Sequence, residues 1–258
     1  MLKMVTSLLI FNNFMSIKKT IHYKKMMSYW DNQSLKNFAS NSLINKNILK
    51  FIKKEKCLNL LELGSGRGHD TLFFIKNLNH KITCIDFSPK MTKLEKDLIR
   101  KNKLQKKVFV VCKNILKTKL PSNFFDIAII KSFLHHLFSV MDIEFACKIV
   151  YNSLKKGGTL ILVENWTDYS SSKYESRAFQ ISQKVRRIKD IKELFLSKND
   201  YLKILKKTGF KKIKCSLLKD EISLDRYKLN SALEKSVEKL KNDFPNKKIR
   251  TLFVVGYK

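Results

Sequence analysis

The chain has 258 residues, which suits one α/β domain with a sizeable core. Hydrophobic residues at 44% and charged residues at 29% exclude wholesale disorder and a fibrous fold, and no apolar run is long enough for a membrane span. The net charge is +31, and the five cysteines stand singly without a CxxC pair, so a reducing, intracellular setting is expected with neither a disulfide framework nor a metal.

Residues 1–30 carry no acid, five lysines and a short apolar run, Met4–Phe14. They read either as a weak targeting segment or as an extension ahead of a start at Met26 or Met27. Apolar residues from Leu35 to Ile52 recur every three or four positions, an amphipathic helix within Asn32–Lys54. An alternation follows: strand Cys57–Leu63, helix Asp70–Leu78, strand Lys81–Phe87, and helix Pro89–Lys103 with Ser88 as cap and Pro in the first turn. Strands Val108–Cys112 and Asp126–Ile130 lead to helix Asp142–Leu154, which Gly157-Gly158 is expected to stop, and then to strand Thr159–Glu164. Strands apolar at nearly every position and alternating with helices predict a parallel sheet covered on both faces. Residues 166–197 are polar and read as a lid or insertion. Helix Lys198–Thr208 ends at Gly209, and strands Lys211–Leu218 and Thr251–Tyr257 flank a helical insertion at 223–243, with its helix at Leu224–Leu240. One domain, 31–258, with these insertions is expected.

The segment Glu62-Leu63-Gly64-Ser65-Gly66-Arg67-Gly68-His69 carries the densest chemistry. A strand runs into three alternating glycines and opens a helix, the pattern of a turn that lets backbone approach a ligand closely. Asp86 ends the next strand 22 residues after Gly64, where an acid can accept hydrogen bonds from a ribose diol. A dinucleotide fingerprint would place its third glycine at 69, but that residue is His69.

Taken together, these residues resemble the class I S-adenosylmethionine-dependent methyltransferases. Glu62–Gly68 is similar to that family's first motif, and Asp86-Phe87-Ser88-Pro89-Lys90-Met91 to its second-strand motif. Phe125-Asp126 with Leu134-His135-His136-Leu137, then Gly157-Gly158, then Gly209-Phe210 follow in the family's order. Gly66–Phe73 is similar to the small-molecule branch that includes thiopurine and tellurite methyltransferases. The resemblance implies a Rossmann-like class I fold with a seven-stranded, mostly parallel sheet and helices on both faces. It implies S-adenosyl-L-methionine as cofactor. Gly64, Ser65, Gly66 and Gly68 would line the loop under its methionine moiety with Glu62 near the amino group. Asp86 would hold the ribose, Phe87 and Ile115 would flank the adenine, and Asn114 would accept from its amino group. Lys131 would stand beside the sulfonium.

Methyl transfer from a sulfonium is an in-line displacement that mainly needs alignment and exclusion of water. His135 and His136 follow the fourth strand, where a general base would sit or where paired histidines would simply cap a helix. Glu164 at the tip of the fifth strand is a second candidate base. Tyr29, Trp30 and Trp166 read either as covers of the site or as core. No [ND]PP[YF] follows the fourth strand and no cysteine has the setting of a covalent cytosine enzyme. Those absences point to O-, N- or S-methylation of a small molecule in the cytoplasm. Two other readings stand beside it: a tRNA or rRNA methyltransferase using the basic surface, and an inactive methyltransferase fold that binds a partner. Only seven of the 53 basic residues are Arg, the better phosphate reader, which favours codon bias over RNA as the source of the charge. The acceptor-binding segments carry no motif, so the acceptor atom is not legible in them.

Overall fold

A computed structural model describes residues 2–33, 42–52, 57–165, 193–194, 196–220 and 249–258, with scattered positions from 180 to 243 and side chains from residue 16 onward. Most of the expected lid, with Trp166, and the expected helix at 224–240 lie outside the described residues. In chain order the elements are α1 (Leu2–Gln33), α2 (Ser42–Leu49), β1 (Asn59–Leu63), α3 (His69–Asn77), β2 (Lys81–Asp86), α4 (Pro89–Lys101) and β3 (Val108–Cys112). After these come β4 (Phe125–Lys131), α5 (Val140–Ser153), β5 (Leu154–Asn165), α6 (Lys198–Thr208), β6 (Lys211–Asp220) and β7 (Ile249–Tyr257).

The seven strands form one sheet in the order β3-β2-β1-β4-β5-β7-β6. The first five pair in parallel, while β7 runs antiparallel between β5 and β6. Residues alternate faces along each strand, so β4 sends Ala128 and Ile130 into one apolar layer and Ile127 and Ile129 into the other. The first layer packs under α5 and α6, and the second under α2, α3 and α4. Both layers are dry, which is why the strands lack the polar alternation of a half-exposed sheet.

Two elements differ from the sequence expectation. Helix α5 ends at Ser153 because Leu154 is already extended (φ −71°, ψ 143°), well before the paired glycines. Gly157 and Gly158 instead lie inside β5, where pairing shifts from Phe125↔Leu154 to Ile127↔Thr159. A Cβ on Gly158 would stand 2.8 Å from the Lys155 carbonyl oxygen, so the glycines serve a strand bulge and not a helix stop.

The N-terminal segment, for which the sequence left two readings open, is helical. It forms the 32-residue helix α1, whose C-terminal half is bound to the domain. Positions 19, 22, 23 and 26 share one helical face. Met26 is buried, Lys19 pairs with Asp142 of α5, and the Tyr23 hydroxyl donates to Asp142 at 3.1 Å. Near its end, the Asp31 carboxylate accepts from Ser88 Oγ and from the Lys90 N–H, tying α1 to the start of α4. No described helix is long and apolar enough to cross a membrane.

Candidate active site

The carboxyl ends of β1, β2 and β4 meet at the turn after β1. Gly64, Gly66 and Gly68 all take positive φ (72°, 58° and 76°), which an L side chain adopts only with strain. Their surroundings differ. A Cβ on Gly64 would lie 2.7 Å from the Phe133 ring, and one on Gly68 would lie 2.6 Å from Glu95 Cγ. At Gly66 nothing lies within 4 Å. Two of the glycines are therefore demanded by packing, and the middle one faces open space.

Asp86 closes the turn from the end of β2. One carboxylate oxygen accepts from the Gly66 N–H at 3.0 Å and the other from the Ser88 N–H at 2.9 Å. With the Phe87 N–H as a third donor, one of the carboxylate's four lone-pair sites is left for a ligand. Burial pushes this carboxyl above its ordinary pKa, and the N–H groups of Ser88, Gly66 and Phe87 pull it back.

Next to Asp86 lies a partly open, mostly apolar cavity. Leu63, Ile85, Phe87, Ile115, Phe133 and Leu137 make its apolar wall, and Tyr23, Asp86, Lys113, Asn114 and His136 its polar points. A flat heteroaromatic ring with an attached diol fits such a lining: apolar faces, an acid at one strand end and an amide at the next. The Asn114 side chain also caps the turn after β3, accepting from Leu116 N at 2.9 Å. Sequence reasoning missed Tyr23, Lys113 and Phe133. Tyr23 stands in a segment without a motif, and Phe133 follows Ser132, whose positive φ of 51° re-aims the chain after β4.

The remaining expected site residues lie off the cavity wall. Glu62 is buried on the α3 side of the sheet, where Thr71 Oγ1 is 2.8 Å from its Oε2, and burial pushes its carboxyl up to about 8. Ser65 donates to Glu95. Lys131 Nζ lies 2.6 Å from Asp70 and 3.0 Å from Asn45 Oδ1, so its charge is bound to the start of α3 and to α2.

The two histidines separate. His135 is buried, with Nδ1 at 2.6 Å from Glu164 Oε2. Glu164 is fully buried and also accepts from the N–H groups of Phe133 and Leu134, at 2.8 and 2.6 Å. The pair thereby fixes the turn that follows β4. His136 reaches the cavity, its Nδ1 lies 3.4 Å from Glu193 Oε1, and Trp30 packs edge-on against its ring at 5.0 Å. His135, His136 and Glu193 each offer a donor atom within 4.8 Å of the others, a spacing that admits a metal ion. Burial, reinforced by Asp142, pushes the Tyr23 phenol above its ordinary range, so its hydroxyl stays protonated.

A doubly covered sheet of this strand order, with a glycine turn after β1 and an acid at the end of β2, defines the class I methyltransferase fold. Residues 61–162 match a family described as a methyltransferase domain. Solved structures share the fold. Phosphoethanolamine N-methyltransferase 2 from Haemonchus contortus, bound to phosphomonomethylethanolamine and S-adenosylhomocysteine, is 18% identical with a TM-score of 0.66, over 93% of this chain and 58% of that one. The chain thus spans little more than half the length of that enzyme. YcgJ from Bacillus subtilis is 16% identical with a TM-score of 0.63, over 83% of this chain and 97% of that one. Geranyl diphosphate C-methyltransferase from Streptomyces coelicolor is 13% identical with a TM-score of 0.59, over 84% and 78%. No curated protein matches by sequence.

Proposed function

We propose that the protein transfers a methyl group from S-adenosyl-L-methionine to an O, N or S atom of a small-molecule acceptor. The observation that carries this reading is the open space at Gly66, whose N–H is bound to the Asp86 carboxylate that lines the cavity. The turn around Gly66 would take the methionine part, Asp86 the ribose hydroxyls, and Phe87, Ile115 and Asn114 the adenine. When bound, the cofactor supplies an activated methyl group on sulfur.

The residues of the chain supply binding, alignment and a dry surface. Phe133 and Leu137 exclude water from the inner wall, and the Glu164–His135 pair holds the turn that presents them. His136 is the sequence candidate that reaches the cavity. Its imidazole would take a proton from an acceptor that must lose one. The protonated Tyr23 hydroxyl donates and does not act as base.

Calorimetric titration with S-adenosylmethionine and S-adenosylhomocysteine tests the reading. A micromolar Kd, about −8 kcal/mol, that is lost in Asp86→Ala is expected. The acceptor screen then begins with amines and phosphorylated amines, the acceptor class in the name of the Haemonchus enzyme. Absence of binding to both nucleotides would sink the assignment.

A further inference from the structure

Glu95 belongs to none of the motifs, yet it is fully buried under the glycine turn. Its Oε2 accepts the Ser65 hydroxyl at 2.6 Å, and its Cγ occupies the space that a side chain on Gly68 would need. Its Oε1 lies 2.9 Å from Thr71 Oγ1. The same threonine oxygen lies 2.8 Å from Glu62 Oε2. A hydroxyl has one proton and can donate to only one of these carboxylates. The other must bring its own proton, or two lone pairs would face each other in a dry layer. Proton counting thus puts a shared proton on the pair.

The surroundings agree. From β2, Cys84 Sγ approaches Thr71 Oγ1 at 3.6 Å and Glu62 at 4.0 Å. Asp70 from α3 and Lys131 from β4 face Glu62 but are ion-paired with each other at 2.6 Å, so they largely cancel. Asp86 faces Glu95 and adds negative charge. Among the described residues, the cation facing Glu62, Lys131, is thus engaged by Asp70, and none is paired with either carboxyl. Burial is the main cause that pushes Glu62 up to about 8 and Glu95 up to about 7.

We propose that Glu95 is a positioning residue for the cofactor turn, and that the proton it shares with Glu62 through Thr71 holds Ser65–Gly68 in the shape that receives S-adenosylmethionine. This rests on the cofactor reading of that turn. Loss of the shared proton sets two negative charges on either side of one hydroxyl, pushing Glu95 away from Thr71 and Ser65 with it. Affinity then falls with rising pH, by up to about tenfold per unit once the proton is lost. Glutamine at 95 keeps the anchor: its amide oxygen accepts from Ser65 and its amide N–H donates to Thr71, which then donates to an ionised Glu62.

The experiment is titration of the full chain with S-adenosylhomocysteine between about pH 6 and 8.5, alongside thermal unfolding of the free protein. Wild type, Glu95→Gln and Glu95→Ala are compared. The ligand's own titration is common to all three, so differences isolate the pair. Wild type is expected to bind more weakly as pH rises toward 8 and beyond, Glu95→Gln to bind well with a flat profile, and Glu95→Ala to bind about tenfold or more weakly at every pH. A flat wild-type profile, or a Glu95→Gln profile that parallels wild type, overturns the proposal. No binding by wild type at any pH would sink the cofactor reading instead. The shared proton would then be judged by unfolding alone. A carboxyl whose pKa is raised in the folded state loses stability as pH climbs from its unfolded value to its folded one, so wild-type Tm must fall across that window and Glu95→Gln must flatten the fall.

Discussion

The glycine turn separates stability from binding at neighbouring positions. In Gly66→Ala the new methyl meets nothing within 4 Å, so its only structural penalty is the left-handed backbone at φ 58°. That penalty is about 1–2 kcal/mol, or a Tm lowered by roughly 2–8 °C for a chain of this size. In Gly68→Ala the same strain is joined by a methyl placed 2.6 Å from Glu95 Cγ. Overpacking adds about 1–3 kcal/mol, so this variant unfolds several degrees lower still. Affinity for S-adenosylhomocysteine orders differently. The Gly66 methyl stands in the space kept for the ligand and should weaken binding about ten- to hundredfold although its protein is the more stable of the two. Calorimetry and thermal unfolding on both variants read these quantities separately. Wild-type affinity in Gly66→Ala would refute the cradle argument, and equal Tm values for the two variants would refute the packing argument.

Further outcomes follow from other contacts. Ser197 caps α6 in a reciprocal box with Asp200, so Ser197→Ala should cost about 1 kcal/mol in unfolding measurements and leave nucleotide affinity unchanged, since no α6 residue lines the cavity. His136→Ala should lower turnover of any acceptor that must lose a proton by about a hundredfold or more, with S-adenosylhomocysteine affinity changed far less. Equal losses in both would assign His136 to the cofactor. With a thiol reagent on the native protein, Cys57 and Cys112 should react fast because they are exposed, while Cys84 and Cys147 wait for unfolding. Burial pushes the Cys147 thiol up to about 12, which removes its thiolate at neutral pH.

The strands, the turn and the acid at 86 could be read from the sequence because each depends on local chemistry. Ile127–Ile130 is apolar throughout, and Leu60–Leu63 at every position but Glu62, because both faces of a parallel sheet are covered, and glycine adopts the backbone at 64, 66 and 68 without strain. Which glycine faces a ligand could not be read, since that depends on Phe133 and Glu95, 69 and 27 residues away from Gly64 and Gly68. The same holds for the histidine pair. Adjacent residues in one turn part company only because Glu164 of β5 takes His135 inward and leaves His136 at the cavity. The Gly157-Gly158 pair looked like a helix stop because glycine carries no record of its neighbours, and only the shift of β5 against β4 turns it into a bulge. In residues 1–30 the sequence pointed to Tyr29 and Trp30 but not to Tyr23, which acquires its place through Asp142, 119 positions along the chain. Sequence by itself determined what each segment must bury and how its backbone must bend. The tertiary structure decided which polar groups meet, because hydrogen bonds between distant segments leave no periodicity in either one.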